Sequence, residues 1–188
     1  MFGQVKYTYS MQVLASKIHS AWVIDSSNEQ SPIIAVVHET ILDPSTLQVV
    51  LFSLRGSKDT SAKHYVRAQQ AQISTHFDLI IKTKDNIGEA DDFVREKTLI
   101  EQGCTLFGYS VIAASGARLG RVTDYALSSQ LMKVEKLHIM PPIWQRFHMT
   151  QRILPSSSIL DIDTKKRVVK VKNDKAHVRS RATQAIPA

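Results

Sequence analysis

Ile34-Ala-Val-Val-His-Glu-Thr-Ile-Leu42 and Leu119-Gly-Arg-Val-Thr-Asp-Tyr-Ala-Leu127 are two versions of one pattern. Each starts apolar, and the alignment sets Val37 on Val122, Glu39 on Asp124 and Leu42 on Leu127, at a shift of about 85 residues. Further along, Leu47 and Val50 fall on Leu131 and Val134, residues 65–73 parallel 153–159, and Leu79, Ile80 and Ile81 parallel Val168 and Val169. A repeat of that length restricts the architecture to two units sharing an interface, because roughly 80 residues of short strands bury too little core to stand alone.

Within each unit the local signals are those of strands. Residues 12–18 and 21–25 read as brief extended segments, the second rich in the bulky and β-branched Trp22, Val23 and Ile24. Residues 33–42 and 47–54 are strands separated by Asp43-Pro44-Ser45-Thr46, where Pro44 presets a turn. Residues 65–73 are weakly patterned, and 79–81 form a short apolar strand. In the second half, strands are predicted over 107–113, 119–127, 132–140, 151–154, 159–162 and 167–172. Gly116 supplies the positive φ of a hairpin turn, and Gly120 suits a bulge. A proline-started turn or short helix is predicted at Pro141 to Phe147. Between the halves, Asp91 and Asp92 are placed to cap a helix running through Phe93, Val94, Leu99 and Ile100 to Gly103, with Gly103 as its left-handed terminus.

These residues resemble the PRC-barrel domain family, whose small β-barrel also occurs in RimM-type ribosome-maturation factors. The likeness rests on Gly116-Ala-Arg-Leu-Gly-Arg-Val-Thr-Asp124, residues 131–139, Ile153-Leu-Pro-Ser-Ser-Ser-Ile159 and Val168-Val-Lys-Val171. The first half lacks a counterpart of the Gly116 and Gly120 pair, and Val66-Arg-Ala-Gln-Gln70 stands in place of the Leu-Pro motif. The resemblance implies an all-β fold with short helices, as two tandem PRC-barrel-like barrels over 10–83 and 103–172; charge and composition add an acidic helical linker over 84–102 and a basic tail, expected to be disordered, over 173–188. The resemblance also implies a non-catalytic module that makes protein contacts.

Charge is unevenly spread. The chain of 188 residues carries +7. From Arg152 onward nine Lys and Arg face three Asp, whereas residues 84–101 hold three bases and six acids. A basic end and an acidic waist invite an anionic partner. Lys165, Lys166, Arg167, Lys172, Lys175, Arg179 and Arg181 are the candidate anion contacts, for RNA or the ribosome or for an anionic membrane surface. No aromatic is interleaved with them, so stacking on bases has no support. Trp144, Arg146 and Phe147 are the candidate protein contact, because Trp and Arg are enriched where interfaces concentrate their energy; both rings could equally lid one end of a barrel.

The motifs of catalysis and cofactor binding do not occur. None of the seven histidines pairs with another at a zinc-ligand spacing, and Cys104, the single cysteine, reads as a buried thiol. Ser156, Ser157 and Ser158 lack the glycines of a nucleophile elbow, and the glycines at 103, 108, 116 and 120 fit turns rather than a phosphate loop. Asp124 is expected to hydrogen-bond a loop backbone. Hence the sequence predicts no enzyme, no metal and no cofactor. With one cysteine, no membrane-length apolar run and no leader pattern at its first residues, it predicts a cytoplasmic protein.

Overall fold

β-Branched and aliphatic residues alternating with polar ones over short stretches dictate strands here, and strands dominate the result. The structure, a computed structural model, describes residues 11–28, 30, 32–56, 63–142 and 151–172. They form β1 (Gln12–Leu14), α1 (Ala15–Ile18), β2 (Trp22–Asp25), β3 (Ile33–Leu42), β4 (Val49–Gly56), β5 (His64–Arg67), β6 (Ala71–Ile73), β7 (Leu79–Ile81), α2 (Lys97–Gln102), β8 (Ser110–Ala113), β9 (Arg118–Ser128), β10 (Lys133–Met140), β11 (Arg152–Pro155), β12 (Ile159–Asp163) and β13 (Val168–Val171). The protein is all-β with short helices.

The strands make two sheets of one topology. The first runs β5-β4-β3-β2-β7-β6 and the second β11-β10-β9-β8-β13-β12, with β1 added to β9. In both, the single parallel pair joins the first strand of the unit to the last, β2 with β7 and β8 with β13. Neither path closes on itself by strand pairing among the described residues; its ends are joined instead by a 3-10 turn, Ala68–Gln70 in one and Ser156–Ser158 in the other.

The irregularities repeat as faithfully as the order. Ile34, His38 and Val50 are the extra residues of three bulges in the first sheet, and Leu119, Thr123 and Glu135 are their counterparts in the second. Non-glycine residues in the left-handed region recur as well: Leu47 with Met132, and Phe77 with Arg167, while Ser20 (φ 72°) stands where the second repeat has Gly108 (φ 74°). A fourth irregularity, at Leu160, belongs to the second repeat alone.

Equivalent residues of the two repeats also touch each other. The buried hydroxyls of Thr40 and Tyr125, 85 positions apart, hydrogen-bond. Gln48 and Lys133 form an antiparallel bridge, with Val49 N donating to Met132 O at 2.6 Å and Val134 N to Leu47 O at 2.9 Å. The rings of His19 and Phe107 lie 4.8 Å apart. Contacts of this reciprocal kind place an approximate two-fold axis between the repeats. Around it one hydrophobic cluster, from Val13 through Phe52 and Tyr125 to Val171, serves both sheets.

Several details correct the sequence reading. Residues 12–18 are not one extended segment: β1 is followed by the single turn of α1, and β1 pairs with β9 rather than with its own half. The alignment of Leu47 and Val50 with Leu131 and Val134 is one residue out, because the left-handed residues Leu47 and Met132 set the true register. Likewise Leu79 corresponds to Val169, since each is the partner of the middle of β2 or β8. The strand placed at 107–113 starts only at Ser110, after the left-handed Leu106 and Gly108. The linker helix is shorter than predicted. Asp91 and Asp92 sit in a 3-10 turn, Ala90–Asp92, where the Asp92 carboxylate accepts from Glu89 N at 2.8 Å, and α2 begins only at Lys97. Gly103 does end it, at φ 54°.

Gly116 takes the positive φ of its turn, at 86°. Gly120 is required for a different reason: a Cβ there would lie 2.2 Å from Met140 O. No described helix is long and apolar enough to cross a membrane.

Candidate functional site

Strand pleat and pairing decide which residues the first sheet turns outward. On β2, Val23 and Asp25 are buried, so Trp22 and Ile24 face away from the core. The pairings Trp22 with Val36, Ile24 with Ile33 and Ile24 with Ile80 carry the same face onto β3 and β7. Five apolar side chains thus lie together on three adjacent strands, with Trp22 54 % and Ile33 49 % exposed. Arg55 on β4, opposite Val36, stands at their margin and is 3.0 Å from His38.

The second sheet presents a different surface at the equivalent positions. Ser110 replaces Trp22, Ile112 replaces Ile24, and Arg118, Arg121 and Lys170 replace Ile33, Val36 and Ile80. All three cations are exposed, and Asp161 pairs across the ladder with Lys170. One backbone therefore displays an apolar face in the first repeat and a basic one in the second.

The β3–β5 side of the first sheet's outer face is covered by the linker. Phe93 packs on Ile41, Leu51 and Tyr65. Arg67 lies over the Phe93 ring at 4.6 Å and donates to both Glu96 carboxylate oxygens, at 2.9 and 3.2 Å. That pair holds the Glu96 carboxyl below its ordinary range, chiefly through the hydrogen bond from Arg67. A cavity of about 620 Å³ opens beside it, between the repeats, with Gln48, Gln72, Gln130 and Leu131 in its walls.

The groups with chemical potential are engaged in structure. Cys104 is buried directly after α2, and burial pushes its thiol up, away from the thiolate form a nucleophile needs. Burial likewise pushes the Tyr109 phenol up to about 12. Asp124 accepts from Ser16 N at 3.2 Å and Ser16 Oγ at 2.5 Å, so it holds the first turn of α1, not a loop. His19, whose Nε2 is buried without a hydrogen-bond partner, has its pKa lowered by burial, with Glu39 and Asp124 acting in the opposite direction. Among the described residues no group of three or more His, Cys, Asp and Glu is placed to hold a metal ion.

The predicted contact residues are dispersed. Trp144, Arg146 and Phe147, and in the tail Lys175, Arg179 and Arg181, lie outside the described residues, as does the expected disorder of 173–188. Lys165, Lys166 and Arg167 occupy the β12–β13 turn, and Lys172 follows the far end of β13. Lys166 pairs with Asp163 at 3.5 Å, while Arg167 donates to Phe107 O at 2.8 Å and lies over Tyr109 at 5.2 Å, so neither is wholly committed to an outside anion.

Sequence reasoning missed the outward residues of both sheets. The signal was available: Trp22-Val-Ile24 and Leu79-Ile-Ile81 are apolar at every position, where their counterparts Ser110-Val-Ile112 and Val169-Lys-Val171 each include a polar outward residue, and a strand with one buried face needs apolar residues only on that face. Compared with protein-family models and with curated proteins, the chain matches none.

Proposed function

We propose that this protein is a non-catalytic scaffold of the PRC-barrel kind, a cytoplasmic adaptor whose first repeat docks a partner protein on its open sheet face. The supporting observation is the contrast between repeats: an apolar surface of Trp22, Ile24, Ile33, Val36 and Ile80 stands where the same backbone carries Ser110, Ile112, Arg118, Arg121 and Lys170. A contiguous exposed apolar patch costs solubility, and on soluble proteins the largest such patch is often functional. The test is affinity purification with the full chain, with a Trp22→Ser/Ile33→Ser variant and with an Arg118→Glu/Arg121→Glu variant, each with and without nuclease. A partner protein lost from the first variant alone, and unaffected by nuclease, supports the reading; identical partners with all three sink it.

A second reading is favoured by the basic face. Arg118, Arg121 and Lys170, together with Lys165, Lys172 and the tail bases, would neutralise phosphates of RNA in an RNA- or ribosome-associated factor. It predicts RNA affinity that falls steeply with salt and drops in the Arg118→Glu/Arg121→Glu variant or on removal of 173–188. Salt-insensitive binding, or equal retention on anionic vesicles, excludes it, the latter in favour of a peripheral membrane role.

A further inference from the structure

The covered and open parts of the first sheet's outer face have the same chemistry. On the covered part, strand residues Ile41, Leu51 and Tyr65 receive Phe93, and a strand arginine, Arg67, takes the carboxylate of Glu96. The covering segment, residues 84–102, is acidic and includes α2. On the open part, apolar strand residues again lie beside a strand arginine, Arg55, one strand closer to the sheet centre than Arg67. On the β7 side Asp78 precedes the strand and the exposed Lys82 follows it, and on the β4 side the cation is Arg55, opposite Val36.

From this continuity we propose that the open part binds an acidic helical segment of a partner protein. Its apolar residues cover Trp22, Ile33 and Ile80, and its carboxylate pairs with Arg55 as Glu96 pairs with Arg67. The inference rests on the protein-contact reading and names the partner's chemistry. Dimensions agree: three strands about 4.8 Å apart span about 10 Å, the diameter of one helix. A second copy of this chain fits less well, because the patch offers on the order of a few hundred Å² and a stable dimer needs about 800 Å² per partner.

The test places the photo-cross-linker p-benzoylphenylalanine at Ile33 of the full chain in the source cell and sequences whatever is captured. The captured segment is then synthesised and titrated against the unlabelled protein. Expected is a segment with apolar residues three and four apart and flanking Asp or Glu, whose binding weakens at least tenfold with the Arg55→Glu variant and less than twofold with Arg121→Glu. Capture of a basic or extended segment, of a second copy of the chain, or binding indifferent to Arg55→Glu overturns the inference while leaving a protein-contact role in place. Capture of no protein at all sinks both.

Discussion

The two repeats agree in backbone and disagree in surface. Strand order, three bulges and three pairs of left-handed positions correspond, yet of five outward positions on three adjacent strands only Ile24 and Ile112 keep their character. A backbone irregularity is fixed by hydrogen bonds and packing on both sides, so altering it costs stability immediately. An outward side chain on a sheet is constrained only by what binds it. Even the small residue at the β3–β4 margin obeys this division: the first repeat has Ala35 opposite Gly56, the second Gly120, whose Cβ would strike Met140 O.

That contrast can be broken most forcefully at Gly120. Gly120→Ala is expected to cost about 3 kcal/mol or more, from overpacking against a backbone carbonyl and a disfavoured φ. Ala35→Gly at the equivalent position should cost only about 0.5–1 kcal/mol. Urea denaturation of both variants measures the difference, and comparable losses would refute it. Next comes the axial hydrogen bond. Thr40→Val leaves the Tyr125 hydroxyl buried and unpaired, for about 1–3 kcal/mol, whereas Thr40→Val with Tyr125→Phe should cost less than the two single changes together. A double-mutant cycle with no coupling would remove this contact from the interface account.

The linker pair is smaller and pH-dependent. Glu96→Gln should cost about 0.5–1 kcal/mol at pH 7, discounted for the partial exposure of Arg67. Because the folded carboxyl titrates below its ordinary value of 4.5, the contribution is present above that pH and disappears as pH falls through the lower folded value. Wild type and variant should therefore converge in acid, read as melting temperature against pH. The smallest effect belongs to His19. Its folded pKa lies below 6.5, so the unfolded chain binds the proton first and stability falls as pH drops from 6.5 toward the folded value. His19→Phe, which installs the residue found at 107, should flatten that slope; an unchanged slope would clear His19 of the effect.

Much of this architecture is legible in the sequence. The shift linking Ile34–Leu42 to Leu119–Leu127 coincides with the observed equivalence because β3 and β9 are long and their apolar and acidic positions are both kept. Gly103 and Gly116 announced their backbone roles, whereas Gly120 lies beside the expected bulge and is demanded by the close approach of Met140 O. Less legible was anything depending on a distant partner. Gln12-Val-Leu14 reads as part of its neighbours, and only β9 explains its separate strand. Asp124 looked like a loop tether because Ser16 lies 108 positions away. The outward apolar face is hidden for a similar reason: Trp22, Ile33 and Ile80 come from three separate strands, and only pairing through β2 unites them.

The attachment of β1 has a consequence for how the chain is made. Val13 pairs with Leu127, so β1 must wait, unsheltered, until β9 has been synthesised. Such a late stitch ties one repeat's lead-in to the central strand of the other, and amide protons at both residues should exchange through one shared opening event rather than two.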